Sequence, residues 1–416
     1  MGVPGLFRFL NELCVSVGIN AITKNSFGNY RGKMVAVDTL QKLFSYGIAI
    51  RNSGADKKST NGRIINHIYA VTYYTRFLIK NKIKPFYVFE GNSPAIKSDT
   101  TDDRRQKKYN ARKKCIEIED KTSDEYIKNF KRGYTVTSED IKECQHLLEA
   151  FGIPYVEAAG EADSQCAALV LGDSDFHAAI TEDIDVLVFG TNRMLKDFSG
   201  KNEMATEISH KQLMQALLLA ANNIRTDANL PLFQSFTYEN FIDFVSLLET
   251  DYSTGIKSPS HSILFKDFVI NNMNVVELIE HINEINKDLT KKYNIPDNFW
   301  EKWEEVRQYY LTAEVVKPEN IDKALRRPNR MAIFNILHKQ CKFDERDVDK
   351  LIAELDDFYF AHNKIEPSGG QQLYSSFSSY QAKYNQSKHN QNRSKYNQTQ
   401  FQTQAHTKKK YIKNNE

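Results

Sequence analysis

The sequence predicts an α/β fold with a central, mostly parallel sheet flanked by helices. Short apolar runs bounded by polar residues are typical of buried parallel strands. They lie near residues 34–39, 85–90, 154–157, 178–182 and 185–189. Between the first two runs, apolar residues of segment 64–83 recur every three or four positions, as in a crossover helix. Strands and helices that alternate in this way indicate an α/β domain.

Further helices are predicted from capping signals and from helical periodicity. Thr137 is followed three residues later by Asp140, a capping signal, and Gly152 before Pro154 ends the helix. A third helix is predicted over 160–171. Beyond residue 260 the pattern is helical over 274–292, 299–313, 319–325, 330–340 and 346–360.

Acidic residues stand where the apolar runs end. Seven of them form the candidate set: Asp38, Glu90, Glu161, Asp163, Asp183, Asp185 and Asp251. Ligands of an open parallel sheet bind at the carboxyl ends of its strands, so we expect these carboxylates to lie close together at that edge of the sheet. Taken singly, each acid has another interpretation, as a helix-capping or turn residue. The prediction depends on the whole set.

Such a set suits phosphodiester hydrolysis by two metal ions about 4 Å apart. A crowded group of carboxylates repels itself unless cations enter, and Mg²⁺ prefers oxygen ligands. We therefore predict two Mg²⁺ ions, with Mn²⁺ able to substitute. The residual negative charge would repel a phosphate. Lys97 and Arg104, seven residues apart, would lie on one helix face and supply positive charge.

A basic run follows, with seven Lys/Arg and no acid across residues 104–114. We predict that it contacts phosphates without reading base sequence. Its DNA-binding members beyond Arg104 are Arg105, Lys107, Lys108, Arg112, Lys113 and Lys114. A solvated helix face is the alternative. The whole segment 98–133 is too polar to be core, so we expect a partly helical, mobile excursion from the sheet.

Composition excludes several classes of function. No run of eighteen apolar residues exists, which excludes a membrane span, and the opening MGVPGLFRFL is no secretory signal. Five cysteines without a C-x-x-C pair indicate reduced thiols and no zinc site. No phosphate-binding glycine loop indicates a nucleotide cofactor, and no nucleophile elbow indicates a Ser-His-Asp enzyme.

The formal net charge of +3 hides an uneven distribution. From residue 368 onward there are eight Lys/Arg and one Glu, which leaves the remainder at −4. Three regions are predicted: an α/β core over 1–260, a helical region over 261–367, and a Gln/Asn/Ser/Lys-rich disordered tail over 368–416.

The motifs resemble the flap endonuclease/XPG family of structure-specific 5′ nucleases. The resemblance runs in order through MGVPGL, VAVD, PFYVFEGNSPAIK, GIPYVEAAGEADSQCAALV, TEDIDVLVFG and LLETDY, across residues 1–256. It implies a PIN-like fold in which the seven acids are metal ligands and Lys97 and Arg104 steer the scissile phosphate. Gly2 would lie near the active site, 98–133 would be a helical arch for a 5′ flap, and 237–268 a degenerate helix-turn-helix DNA-binding element.

Three departures from the family pattern stand out. Glu90 replaces an aspartate, Asp163 replaces a glutamate, and Ser258-Pro259-Ser260 replaces a G-I-G turn that lets backbone amides approach a phosphate. This divergence, with a Lys/Asn-rich composition, most resembles the poxvirus branch of the family.

The resemblance implies a nuclease that cuts branched or 5′-ended flap DNA in viral replication, recombination and repair. A DNA-binding scaffold with a vestigial site, or an RNA-directed nuclease, are the alternatives. We expect a monomer at a cytoplasmic viral replication site, or in the nucleus for a cellular homologue. Replication or processivity proteins are candidate partners, but ELDDFYF (354–360) and QQLYSSF (371–377) match a sliding-clamp box only imperfectly, and a core helix is favoured for the first.

Overall fold

The computed structural model describes residues 2–200, 204–287 and 293–363, apart from the side chains of 98–101. Within these ranges the strands are β1 (Ile22–Ser26), β2 (Met34–Asp38), β3 (Lys84–Phe89), β4 (Tyr155–Glu157), β5 (Phe176–Ile180), β6 (Arg193–Lys196) and β7 (Met204–Ser209). They form one sheet in the spatial order β1-β7-β6-β5-β2-β3-β4.

The sheet is mostly parallel, as predicted. β2 lies between β3 and β5 and pairs with both in parallel, and β4 and β6 extend the parallel set on either side. β7 is antiparallel to β6, and β1 is antiparallel to β7. Four of the five predicted strands correspond to β2, β3, β4 and β5, whereas β1, β6 and β7 were not predicted.

The fifth strand prediction, over 185–189, is wrong. Asp185–Val188 is a single helical turn that begins five residues after the end of β5. Its residues are buried on all sides. A short, wholly apolar run shows no periodicity that distinguishes a buried strand from a buried helix, which is why the sequence misled here.

Helices account for most of the remaining chain. They are α1 (Leu6–Ser16), α2 (Thr39–Arg51), α3 (Asn66–Lys80), α4 (Ser98–Glu117), α5 (Asp124–Arg132), α6 (Ser138–Phe151), α7 (Ala162–Gly172), α8 (Asp185–Val188), α9 (His210–Asp227), α10 (Tyr238–Ser246), α11 (His261–Ile270), α12 (Val275–Ile285), α13 (Phe299–Thr312), α14 (Arg330–Phe334) and α15 (Glu345–Asn363).

Capping signals located several helices correctly. Thr137 and Asp140 form the reciprocal capping box of α6, and Gly152 ends that helix with a left-handed backbone (φ 72°). The predicted crossover helix is α3 and the predicted third helix is α7. Segment 98–133 is partly helical, as α4 and α5; its mobility stays a prediction.

The helix predicted over 319–325 is wrong. Only Pro318–Asn320 forms a short 3-10 turn, and the following residues are irregular. The backbone there bonds to the end of α6 instead of to itself: Arg326 N donates to Gly152 O at 2.9 Å, and Asn329 N to Ala150 O at 2.7 Å. Tertiary hydrogen bonds have replaced local ones.

The sheet separates two hydrophobic layers. Side chains alternate along each strand, so Ala36 and Phe86 face one layer while Val37 and Tyr87 face the other. The first layer contains α1, α7 and α9–α13, and the second contains α3, α6 and α15. Leu355 and Phe358 of α15 are buried in the second layer, in agreement with a core helix rather than an exposed clamp-binding box.

The described residues from Gly2 to Tyr359 form one compact unit. The predicted boundary at residue 260 lies inside this unit. The predicted disordered tail over 368–416, with its QQLYSSF segment, lies outside the described residues. The part of the chain that the structure describes contains no helix with the length and hydropathy of a membrane span.

Candidate metal and phosphate site

The strand order explains how distant acids come together. β5, β2, β3 and β4 are consecutive in the sheet, and an acidic residue ends or follows each of them. Since carboxyl ends of parallel strands meet at one edge, these acids face the same space. Asp251, after α10, joins them. We call this set the acidic pocket: Asp38, Glu90, Glu161, Asp163, Asp183, Asp185 and Asp251.

Thr181 links the acids of β2 and β5. Its hydroxyl donates to Asp38 Oδ2 at 2.9 Å and accepts from the Asp183 backbone N–H at 3.1 Å. The other oxygen of Asp38 accepts from Gln41 N at 3.2 Å and so caps α2. Thr181 of the T-E-D motif thus links Asp38 and Asp183 through hydrogen bonds.

Glu90 lies at the N-terminus of α7. Its Oε2 accepts from the Ala162 backbone N–H at 3.0 Å, beside the two acids that open that helix. Burial and the neighbouring charges of Asp38 and Glu161 raise the pKa of Glu90 to about 7. The longer side chain that distinguishes this position therefore remains part of the pocket.

Gly2 forms part of the pocket wall. Its φ is +77°, and an added Cβ would clash with Oδ1 of both Asp183 and Asp185. Only glycine fits a left-handed backbone pressed against these two carboxylates. The predicted position of Gly2 near the site agrees with this geometry.

Burial and mutual repulsion act on the pocket as a whole. Desolvation raises the pKa of four further members, and for each of them the charge of at least one other pocket acid adds to the effect: Asp38, Asp163, Asp183 and Asp185. Both burial and a neighbouring negative charge disfavour the ionised form of a carboxyl group. The pocket acids therefore oppose one another's ionisation.

Two oxygens in the pocket are buried without a hydrogen-bond partner among the described residues. They are Oδ1 of Asp163 and Oδ1 of Asp185. An unpaired buried acceptor costs about 1–3 kcal/mol, and more when it is charged. A divalent cation with oxygen coordination is the occupant that such a donor set fits.

Lys97 and Arg104 both reach into the pocket from the start of the arch. Lys97 pairs with Glu161 and lies 3.7 Å from Asp251 Oδ2, and Arg104 Nη2 donates to both oxygens of Asp251 at 2.7 and 2.8 Å. Burial opposes the charge on Lys97, but the Glu161 carboxylate outweighs it and raises the pKa of the ammonium. Lys97 and Arg104 therefore both contact the carboxylate of Asp251.

Three tyrosines of the pocket were not predicted. Tyr252 and Tyr309 hydroxyls both donate to Glu161 Oε2 at 2.6 Å, and the Tyr310 hydroxyl lies 3.5 Å from Asp185 Oδ2. Tyr252 directly follows Asp251, which offered a signal. Tyr309 and Tyr310 lie in α13, far along the chain, and no local pattern distinguishes them from core residues.

The arch consists of helices α4 and α5. The predicted DNA-binding residues of the arch differ in their contacts with the rest of the chain. Lys108 packs over the Phe44 ring at 4.2 Å, and Arg112 donates to Gly133 O and Thr135 Oγ1. Lys108 thus contacts the body, whereas Arg112 ties α4 to the residues that follow α5. Arg105, Lys107, Arg112, Lys113 and Lys114 are all exposed, and Arg105 pairs weakly with Asp102 at 3.3 Å.

The turn that departs from G-I-G is closed by its own groups. Ser258 Oγ donates to Ser260 O at 3.1 Å, and Ser260 Oγ caps α11 by accepting from Ile263 N. Lys257 exchanges two backbone hydrogen bonds with Asn294. Since Pro259 has no N–H, this turn offers few free amides to a phosphate.

A second group of metal-ligand types lies away from the pocket, where α3 meets α6. His67, Asp140 and Glu143 bring one ligand atom each within 4.8 Å of the others. Arg63 donates to Glu143 at 2.6 Å and to Asp140 at 3.2 Å. We call these four residues the His67 cluster.

A cavity of about 920 Å³ lies at the opposite edge of the sheet, among the N-terminal ends of β2, β3, β5 and β6. Lys33, Lys84, His177 and Arg193 are among its lining residues. No residue of the acidic pocket lines it. This cavity is therefore separate from the acidic pocket.

Known proteins share both sequence and fold with the chain. The profile of the XPG N-terminal domain matches residues 1–111, and that of the XPG I-region matches residues 152–251. Flap endonuclease 1 of Nematostella vectensis is 32% identical over 360 residues, covering 85% of this chain and 87% of that protein.

Solved structures agree. The catalytic core of Rad2 in complex with DNA substrate has a TM-score of 0.61 at 20% identity and covers 85% of this chain and all (100%) of that one. The Holliday junction-resolving enzyme GEN1, in complex with product DNA and Mg²⁺ ion, has a TM-score of 0.52 at 17% identity, covering 83% and 79%. At these identities the structures establish the fold.

Proposed function

The chain belongs to the flap endonuclease/XPG family of structure-specific nucleases, and from this premise we propose that it hydrolyses branched or 5′-ended DNA with Mg²⁺ as cofactor. The observation that carries the proposal is the acidic pocket, in which two buried carboxylate oxygens have no partner among the described residues. A vestigial site would be free to lose such a costly arrangement, because nothing would offset its self-repulsion.

The donor set fits two Mg²⁺ ions, for which Mn²⁺ would substitute. The residues that would hold them, directly or through water, are Asp38, Glu90, Glu161, Asp163, Asp183, Asp185 and Asp251. When bound, such ions activate water and stabilise the charge that develops on a scissile phosphate. The Mg²⁺ in the GEN1 complex supports this choice of metal.

Lys97 and Arg104 supply the positive charge that the pocket lacks. Both contact Asp251, so this carboxylate sets their position at the rim. A scissile phosphate that approaches would exchange places with these carboxylate contacts and receive the two cations. Cations that are already in place when the phosphate arrives stabilise the negative charge that develops on it, because no solvent has to reorganise.

The exposed cations of α4 extend this positive surface along the arch. Lys107, Lys113 and Lys114 can neutralise backbone phosphates of a 5′ strand without reading its bases. The DNA substrate in the Rad2 complex supports nucleic acid as the partner. By resemblance to the poxvirus branch, we place this activity in viral DNA replication, recombination and repair at cytoplasmic sites, as a monomer.

The test uses the full-length chain on end-labelled flap, nicked, gapped, single-stranded DNA and single-stranded RNA. We expect Mg²⁺-dependent and Mn²⁺-dependent cleavage of the flap, with products absent in EDTA. Asp183→Asn is the matched control, because it keeps the shape of a pocket residue and removes its charge. Cleavage that persists in this variant would reveal a contaminating nuclease. Cleavage of RNA alone would redirect the proposal to an RNA-directed nuclease.

One observation favours a second candidate, a DNA-binding scaffold with a weak site. The Ser258-Pro259-Ser260 turn is closed by its own side chains and by the Lys257–Asn294 pairing, so its grip on duplex DNA differs from that of a G-I-G turn. The same assay separates the candidates. Tight binding of flap DNA without metal-dependent products from any substrate would establish the scaffold.

A further inference from the structure

Helix α13 brings an unpredicted phenol into the acidic pocket. The Tyr309 hydroxyl donates to Oε2 of Glu161 at 2.6 Å. The Tyr252 hydroxyl donates to that same oxygen, also at 2.6 Å. Two donors from segments 57 positions apart (309 − 252) thus converge on one oxygen of a candidate metal ligand.

The rings that carry these hydroxyls are held by aromatic packing. Tyr309 lies edge-on to Tyr252 at 5.0 Å and to Phe189 at 5.8 Å between ring centroids. On the same helix, Arg307 pairs with Asp243 of α10 at 2.6 Å, which anchors α13. A phenylalanine would satisfy the same ring contacts. The hydroxyl therefore adds only the hydrogen bond to Glu161.

The two oxygens of Glu161 have different partners. Oε2 accepts from two phenols, which uses both of its lone pairs. Oε1 faces the Lys97 ammonium, the group that would turn to a phosphate. Asp185 shows the same division: Oδ2 lies 3.5 Å from the Tyr310 hydroxyl, and Oδ1 is buried without a partner among the described residues.

We propose that Tyr309, together with Tyr252, is a positioning residue that holds Glu161 by one oxygen and presents only Oε1 to a metal ion. The inference rests on the proposed function, because it assigns Glu161 to the metal site. It couples the helical region beyond residue 260 to metal affinity. Groups that orient a metal ligand typically change metal affinity by about 10- to 100-fold when removed.

The test is Tyr309→Phe in the full-length chain, with Mn²⁺ alone as the probe. We expect the Mn²⁺ dissociation constant, from titration calorimetry or electron paramagnetic resonance, to rise about 10-fold. The Mg²⁺ concentration for half-maximal flap cleavage rises in parallel. The cleavage rate at saturating Mg²⁺ falls less than about threefold, since enough metal restores the bound state. A merely structural defect would not be rescued by metal.

Tyr293→Phe is the matched control. Tyr293 is also a buried phenol that donates to a carboxylate, Asp267, but outside the pocket. We expect unchanged Mn²⁺ binding in this variant. Tyr310→Phe should weaken binding less than Tyr309→Phe, because its hydroxyl lies 3.5 Å from Asp185.

The double variant Tyr252→Phe/Tyr309→Phe sharpens the test. Since both phenols hold one oxygen, either one alone retains part of the constraint. The fold-change in the Mn²⁺ dissociation constant of the double variant should therefore exceed the product of the single fold-changes.

Two results would overturn the inference, and they are distinguishable. If the unaltered chain binds Mn²⁺ and Tyr309→Phe binds it within about twofold as tightly, the positioning role is wrong and the proposed function stands. If the unaltered chain binds no Mn²⁺, with or without flap DNA, the proposed function fails and this inference fails with it.

Discussion

The acidic pocket and the His67 cluster both gather carboxylates, yet they differ in charge balance. In the His67 cluster all four carboxylate oxygens face a donor: Arg63 and His67 contact both acids, and Asp140 Oδ2 also accepts from Thr137 N at 2.9 Å. In the acidic pocket seven carboxylates face the cations Lys97 and Arg104, and two oxygens have no partner among the described residues.

Proximity of ligand atoms alone would favour the His67 cluster as the metal site. Its carboxylates already pair with Arg63 and contact His67, so a divalent ion would have to displace Arg63. The pocket lacks that internal compensation. Charge balance, and not the closeness of oxygen and nitrogen atoms, separates a structural ion-pair network from a site that requires a cation.

The largest loss of activity is expected from a change in the acidic pocket. Asp183→Ala should lower flap cleavage by at least about 1,000-fold, or about 4 kcal/mol, because it removes a candidate metal ligand. The fold should remain intact, with the melting temperature of the metal-free protein unchanged or higher, since one source of repulsion is gone. Single-turnover cleavage and a thermal melt measure the two effects.

Asp140→Asn is the matched change in the His67 cluster. It should keep cleavage within about threefold of the unaltered chain, since it lies outside the candidate metal site. An equal loss of cleavage in both variants would mean that the two clusters do not differ in function.

The second prediction uses pH and metal removal. The folded pKa of Glu90, about 7, lies above its ordinary value of 4.5, so the folded state binds the proton more tightly than the unfolded state does. Metal-free protein should therefore lose stability as pH rises from 4.5 to 7, by about 3 kcal/mol at most from this group. Urea denaturation in EDTA across that range measures the loss.

Glu90→Gln should flatten that pH dependence, and saturating Mg²⁺ should reverse it in the unaltered chain. A metal-free protein that becomes more stable between pH 4.5 and 7 would contradict a self-repelling pocket.

The third prediction concerns the His67 cluster. Glu143→Ala should lower the free energy of unfolding by about 2 kcal/mol, because it deprives the buried His67 ring of a hydrogen-bond acceptor at 2.7 Å. Mn²⁺ affinity should not change. Urea denaturation and Mn²⁺ titration on one preparation check both statements. A weaker Mn²⁺ affinity would place a metal in the His67 cluster instead.

The smallest effect is expected from changes in the arch. Some cations there bond to other residues of the chain, and others are exposed without such a role among the described residues. Lys113→Gln should weaken flap binding a few-fold and reduce the slope of log affinity against log salt by about 1, because an exposed cation is lost. Arg112→Gln should instead destabilise the arch, since Arg112 is bonded to Gly133 and Thr135. Binding titrations at several salt concentrations distinguish them. Equal salt slopes for Lys113→Gln and the unaltered chain would exclude a phosphate contact there.

Local patterns in the sequence determined much of the fold. Apolar runs located β2, β3, β4 and β5, the Thr137 capping box located α6, and the acids at the strand ends indicated where chemistry would gather. These features depend on side-chain periodicity and on hydrogen bonds within a few residues. Neighbouring residues suffice to specify them.

The tertiary structure alone decided which strands are neighbours, that Asp185–Val188 is a helical turn, and that Lys108 and Arg112 contact distant residues of the chain. It also brought the Tyr309 hydroxyl into contact with Glu161, which lies 148 positions earlier in the chain. Contacts of this kind are set by the burial and packing of whole layers. A residue in α13 carries no local mark of the carboxylate that it will meet, because that meeting depends on every element between them.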